Sequence, residues 1–306
     1  MSYYDLGDYS RAVSTQSEEA QQWFDRGLVW TYAYNHEEAI ACFEKAAAAD
    51  ADCAMAYWGI AYAIGPNYNK PWEAFEEDEK PEALSCALGA MAKATALKDQ
   101  VSDFERALIE ALAHRYPESA AEEDFAPWND AYADAMRAVF KAHPGDLDVC
   151  CLFAEAIMNR TPWQLWDLSA GRPADGADTL EAIDVLDGIF HAQEAAWSHP
   201  GLLHMYIHLM EMSPHPERAP RHGDALSTLV PDAGHLLHMP THIDVLCGDY
   251  QNVVSRNHTG IVENIFNGTT DFVVGNRHDL IDILITQAEG LTAHQFNRHT
   301  VGKNAH

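Results

Sequence analysis

The chain has 306 residues, a hydrophobic share of 47% and a formal net charge of −28 at pH 7. A surface this acidic repels phosphate backbones and anionic lipids, so neither nucleic acid nor a membrane surface is an expected partner. No run approaches the ~18 apolar residues of a membrane span. The six cysteines show no C-x-x-C or framework spacing, and the first residues lack the basic and apolar regions of an export signal. A cytoplasmic protein with reduced thiols is therefore predicted.

Apolar residues recur at i, i+3, i+4 and i+7 from Ser17 onward, which predicts amphipathic helices, and strand signals are nearly absent. The longer predicted helices cover residues 54–64, 80–97, 102–115, 128–141, 147–159, 179–197, 202–212, 217–229 and 232–246. Ser102 and Asp232 are the expected N-caps of two of them. Residues 160–177 form an unusually long connection, where a functional lid or an insertion is expected. Residues 299–306 are predicted to be a weakly ordered tail.

Residues 23–46 follow the pattern W-x2-L-G-x2-Y…A-x3-F, shifted by one residue in places. This segment resembles the tetratricopeptide repeat family. The resemblance implies an all-α fold, namely a right-handed solenoid of antiparallel helix hairpins. We expect it to form a single domain over residues 1–306, and the resemblance implies a concave groove that binds ligands.

Further stretches resemble a largely uncharacterised, histidine-rich subfamily of bacterial and fungal tetratricopeptide proteins. They read H-P-G-L-L-H-M-Y-I-H-L-M-E at 199–211, S-P-H-P-E-R-A at 213–219 and P-D-A-G-H-L-L-H-M-P-T-H-I at 231–243. The motif G-P-N-Y-N at 65–69 matches as well. The resemblance covers the chain to about residue 250 and indicates site residues, but it leaves the reaction open.

A duplicated phrase carries most of the chemistry. The sequence L-L-H-M-x-x-H occurs at 202–208 and again at 236–242, which is a separation of 34 residues, the length of one tetratricopeptide repeat. On the first helix a histidine pair and a glutamate fall at i, i+4 and i+7, and on the second three histidines fall at i, i+3 and i+7. Stacked repeats then predict one row of Glu155, His208 and His242 and another of His204, His238 and His278.

These residue types at these spacings predict a transition-metal site. Neutral imidazole suits copper, zinc, iron and nickel, and i, i+4 pairs converge on one ion without backbone strain. Affinity favours copper or zinc, with iron as a further candidate, in one or two ions. Met205 and Met239 stand where a metalloprotease helix needs glutamate, which disfavours that class. The predicted ligands are His204, His208, Glu211, His235, His238, His242 and His278.

The leading functional hypothesis is a metal-dependent oxidoreductase acting on a small molecule or a modified amino acid, with residues 160–177 as a lid. Glu155 or Glu211 is the expected proton-transfer group. Two alternatives remain open: a scaffold that binds a peptide in its groove, and a metallohydrolase that uses zinc-bound water. The expected substrate contacts are Trp163, Trp166, Asn67 and Tyr68.

Overall fold

The computed structural model describes residues 3–117 and 124–266, and this part of the chain is mostly α-helical. Its helices are α1 Glu18–Tyr32, α2 His36–Ala49, α3 Ala54–Ala63, α4 Glu79–Leu97, α5 Asp103–Ala113, α6 Ala126–Ala142, α7 Leu147–Met158, α8 Thr179–Ala192, α9 Pro200–Glu211, α10 Pro220–Leu226, α11 Gly234–His238, α12 Pro240–Cys247 and α13 Tyr250–Phe266. Short 3-10 turns cover Trp72–Ala74, Lys98–Gln100, Glu194–Ser198 and Pro216–Arg218. The all-α class is confirmed.

Local sequence explains where the helices begin. Ser102 is the N-cap of α5, as predicted, and forms a capping box in which Ser102 accepts from the Glu105 amide while Glu105 accepts from the Ser102 amide. Ser17 caps α1 through the Ala20 amide, with Glu18 and Glu19 in the first turn. Both acidic residues stabilise the positive end of the helix dipole.

Prolines divide two segments that periodicity predicts to be continuous. The predicted helix 232–246 is α11 followed by α12, because Pro240 has no N–H to donate to the preceding turn. Its predicted cap is wrong: the N-cap is Ala233, and an Asp232 carboxylate oxygen instead accepts from the amide of Asp5 at 2.6 Å. The predicted helix 217–229 is shortened to α10, which Pro220 opens.

The predicted long connection contains a small antiparallel hairpin, in which Trp166 pairs with Pro173 and Asp167 with Arg172. The strands are only two residues long, Trp166–Asp167 and Arg172–Pro173. Strands of this length leave too weak an alternation to be recognised from sequence.

Helix α9 lies in the interior of the unit Met1–Gly260, because every one of its residues is buried. It packs against α1, α7, α8, α10 and α12. Its close approach to α1 and α7 depends on Gly201, where an added Cβ would lie 2.6 Å from both Cys151 Sγ and Tyr32 Cδ1. Side chains on α9 therefore meet other side chains rather than bulk water.

Among the described residues, no helix combines the length and the apolar character that crossing a bilayer requires. His278 and the predicted tail 299–306 lie outside the described residues. The prediction that residues 1–306 form one domain stays a prediction.

Candidate metal centre

Three histidines converge inside the helical unit. His204 and His208 follow one another by one turn of α9, with ring centroids 4.5 Å apart, and neither is exposed at all. His235, on the first turn of α11, brings its Nε2 to 3.1 Å from Nε2 of His204. One ring nitrogen from each of the three lies within 4.8 Å of the others. We call His204, His208 and His235 the histidine triad.

Hydrogen bonds fix which nitrogen carries the proton in two of these rings. His204 Nδ1 lies 2.7 Å from the carbonyl oxygen of Tyr32, and His208 Nδ1 lies 2.7 Å from Glu211 Oε1. A carbonyl and a carboxylate can only accept, so both Nδ1 atoms carry hydrogen and both Nε2 atoms keep a free lone pair. Metal-binding histidines are held in this way by a carbonyl or carboxylate behind the ring.

The Nε2 atom of His208 is buried and has no hydrogen-bond partner. Leaving a buried polar atom unpaired costs about 1–3 kcal/mol. Other buried atoms, such as His36 Nε2 and Trp58 Nε1, are unpartnered too, so it is the position of this one beside two further imidazole nitrogens that points to a bound ion. A cation next to this lone pair, shared with the neighbouring triad nitrogens, would remove the cost.

Two of the triad rings, His204 and His235, are held in the neutral form that binds metals. Burial, followed by the neighbouring His208, lowers the pKa of His204 well below its ordinary value. Burial, followed by the neighbouring His204, lowers the pKa of His235 in the same direction. A neutral imidazole has a lone pair to donate, whereas an imidazolium does not.

Beside the triad, His238 and His242 form a second group, which we call the histidine pair. Their Nε2 atoms lie 3.0 Å apart. His238 Nδ1 lies 2.8 Å from Asn257 Oδ1, and His242 Nδ1 makes a short contact with Glu211 Oε2. Both rings of the pair are thus oriented from behind, as His204 and His208 are.

Glu211 joins the two groups, because one of its carboxylate oxygens meets His208 of the triad and the other meets His242 of the pair. Burial alone would raise the pKa of Glu211, but the adjacent His208 and His242 outweigh it and hold this pKa well below the ordinary value. Glu211 is therefore a carboxylate that orients histidines from both of its oxygens.

Tyr34 is the central residue that the sequence analysis missed. It lies in the turn between α1 and α2, and its ring centroid is 4.6 Å from that of His204, 5.7 Å from that of His208 and 5.6 Å from that of His235. Its backbone has a φ of 55°, which is uncommon for a residue other than glycine. No periodic pattern marks a turn residue of this kind, so no signal in the sequence could have found it.

Glu155, on α7, meets hydroxyl groups rather than histidines. It accepts a short hydrogen bond from Tyr62 O–H, and the Tyr34 hydroxyl lies 3.4 Å from its Oε1. The predicted row of Glu155, His208 and His242 is therefore not formed: the carboxylate between these two histidines is Glu211. Of the predicted row of His204, His238 and His278, the last lies outside the described residues, and the other two each place Nε2 against a different histidine.

The predicted substrate contacts divide into two kinds. Tyr68 is buried with its ring centroid 5.0 Å from that of His208, and the ring of Trp163, which is 43% exposed, is tilted against Tyr68 with centroids 5.2 Å apart. These rings form an aromatic wall from the surface to the triad. Trp166 and Asn67 instead hold loops in place. Trp166 Nε1 donates to the Leu209 carbonyl at 2.7 Å, and Asn67 Oδ1 accepts from the amides of Asn69 and Lys70, both at 2.9 Å.

No family model matches the chain, and no curated protein matches it either. The described residues form an internal, histidine-rich centre in an α-helical protein, with five imidazoles, one shared carboxylate and a tyrosine packed against three of the rings.

Proposed function

We propose that this protein is a metal-dependent enzyme whose triad binds a transition-metal ion through the Nε2 atoms of His204, His208 and His235. The unpartnered, buried Nε2 of His208 is the observation that carries the proposal. Three protein ligands leave at least one coordination position for water or substrate, which is the arrangement of catalytic rather than structural zinc sites.

The spacing of the donor atoms fits an ion after a small adjustment. A tetrahedral ion with metal–nitrogen distances of about 2.0–2.1 Å holds its nitrogens about 3.3 Å apart. The 3.1 Å between the Nε2 atoms of His204 and His235 needs to open by about 0.2 Å to reach that value. The three donor nitrogens lie within 4.8 Å of one another, so binding one ion would require the rings to turn toward it.

Copper and zinc are the ions that this donor set favours. All three donors are neutral imidazoles, with no thiolate among them, and affinity for nitrogen ligands rises along the divalent series to copper, with zinc just below it. Iron also binds imidazole and is the third candidate.

We assign an oxidoreductase reaction on a small molecule as the leading activity. Two triad histidines have no exposed surface, which favours a small substrate over a peptide. The phenol of Tyr34 lies against all three rings and 3.4 Å from the carboxylate of Glu155, which supplies a proton acceptor beside the centre. The aromatic wall of Tyr68 and Trp163 supports substrate access along that side.

The tetratricopeptide-like solenoid is part of the same proposal. From α1 to α8, each helix packs against the next one in the chain, as antiparallel hairpins in an array do. In arrays of this kind ligands bind in the concave groove, and the proposal assigns the two triad residues of α9 to that side.

Metal analysis of protein purified without an affinity tag tests the proposal. We expect about one tightly held ion per chain, lost in His208→Asn, which keeps an N–H donor toward Glu211 but has no counterpart of Nε2. The exposed His191 provides the control variant His191→Asn. Less than ~0.2 ion per wild-type chain contradicts metal binding by the triad.

The reaction class needs a separate assay. We expect the copper- or iron-loaded protein to consume dioxygen in the presence of a reducing substrate. A protein that stays colourless and redox-silent with copper, iron and zinc contradicts the oxidoreductase assignment. Hydrolysis by the zinc-loaded form alone would support the metallohydrolase instead.

A further inference from the structure

We propose that the histidine pair, His238 and His242, binds a second metal ion, so that the centre is dinuclear. This deepens the proposed function and rests on it for the first ion. The second site is carried by different residues and by an independent observation.

That observation is a conflict between two lone pairs. The Nδ1 atoms of His238 and His242 each face an oxygen that accepts, Asn257 Oδ1 and Glu211 Oε2. In neutral rings both Nδ1 atoms then carry the proton, and both Nε2 atoms are left with lone pairs. These lone pairs face each other across 3.0 Å, which is repulsive unless something positive lies between or beside them.

Moving a ring proton does not remove the conflict. If His242 carried its proton on Nε2, its Nδ1 lone pair would face the carboxylate of Glu211. If His238 did so, its Nδ1 lone pair would face the Asn257 oxygen. With neutral rings and the Asn257 oxygen facing His238, every arrangement leaves one acceptor pointing at another. A half-turn of the Asn257 amide or an added positive charge removes the conflict. A divalent cation bound by both Nε2 atoms satisfies all four ring nitrogens at once.

The geometry of the pair fits such an ion. His238 ends α11 and His242 lies on the first turn of α12, an i, i+4 spacing that brings the two rings to one side. Opening the Nε2 atoms from 3.0 Å to about 3.3 Å gives the spacing of two ligands on a tetrahedral ion. The side chain of His242 is 15% exposed, so water can complete the coordination shell.

Glu211 connects this ion to the one in the triad. One carboxylate oxygen faces His208 and the other faces His242, so a single negative charge lies behind a ligand of each ion. That charge raises the donor strength of both imidazoles and offsets part of the repulsion between the cations. Because only two protein ligands hold it, the second ion binds more weakly than the first.

Calorimetric titration of the metal-free protein with Zn²⁺ alone tests the inference. We expect two binding events per wild-type chain, one tight and one at least tenfold weaker. His242→Asn keeps a donor toward Glu211 and removes Nε2, so it should lose the weak event alone. His208→Asn should lose the tight event. His215→Asn, at an exposed histidine beside Glu217, is the matched control and should keep both events.

Each outcome separates the two sites. A single wild-type event that His208→Asn abolishes and His242→Asn leaves intact overturns the second site and keeps the triad. A single event with the opposite response overturns the triad. An absence of events overturns both. The wild-type stoichiometry decides the second site even if a variant fails to fold. If only one ion binds, a proton shared by the two Nε2 atoms relieves their conflict instead.

Discussion

His208 and His242 belong to different helices, yet their Nδ1 atoms donate to the two oxygens of a single carboxylate, that of Glu211. The relationship links α9 to α12 through one buried anion. It also means that a change at Glu211 reaches both groups of the centre.

Replacing that carboxylate by an amide should weaken metal binding. In Glu211→Gln, the amide nitrogen can only donate, so one of the two histidines must abandon its present tautomer. We expect affinity for Zn²⁺ to fall 10–100-fold, measured by chelator competition. Glu217→Gln, at the exposed His215, is the control. Unchanged affinity in Glu211→Gln would show that the carboxylate does not orient the ligands.

Removing the Tyr34 hydroxyl should affect turnover and leave metal content intact. Tyr34→Phe keeps the ring against the triad but takes away the group facing Glu155. If this pair moves a proton during the reaction, kcat should fall at least about 100-fold. Tyr206→Phe loses a phenol bonded to Asp187 at 2.9 Å and is the control, with kcat near wild type. Equal losses in both variants would argue for a packing effect.

The close approach of α9 to its neighbours should make Gly201 intolerant of substitution. An added Cβ meets Cys151 and Tyr32 at 2.6 Å, so Gly201→Ala should lower the free energy of unfolding by about 1–3 kcal/mol. Gly188→Ala, on α8, meets nothing within 4 Å and should raise it by about 0.5–1 kcal/mol. Urea denaturation measures both changes. An unchanged free energy of unfolding in Gly201→Ala would mean that the helices can move apart freely.

Buried His222 should contribute to a loss of stability in acid. It stacks on Tyr206 with ring centroids 3.7 Å apart, and burial, opposed by Asp187, lowers its pKa from 6.5 to about 4. The unfolded chain therefore binds the proton first, so stability falls as pH drops from about 6.5 to about 4. His222→Phe should flatten this dependence by up to about 3 kcal/mol. Thermal melts at pH 7 and pH 4.5 measure the loss of stability in acid for the wild type and for His222→Phe. An equal loss in the two proteins would contradict the prediction.

Local patterns predicted the helices and most of the histidines that converge. Period 3.6 located α9, and the duplicated phrase placed His204 and His208 on one stripe of it and His238 and His242 on the following segment, where His235 shares their stripe. These predictions depend on neighbours along the chain, which the sequence displays directly. The capping box at Ser102 is another case of this kind.

The remaining features of the centre depend on contacts between distant segments. Tyr34 reaches the triad from a turn with positive φ, and Tyr32 contributes only a carbonyl, which has no residue signature. Asn257 orients His238 from α13, far along the chain. The choice of Glu211 over Glu155 as the shared carboxylate follows from how α9 and α12 are packed, which repeat spacing alone did not predict.

The complete burial of α9 has a kinetic consequence. His204 and His208 lie on a helix that α1, α7, α8, α10 and α12 cover, whereas His235 belongs to α11, a five-residue helix without a side-chain cap. An ion entering the folded protein would pass on that side, so the opening of α11 would set the rate at which the triad gains or releases metal. Chelators would then remove the ion at a rate that does not increase with chelator concentration.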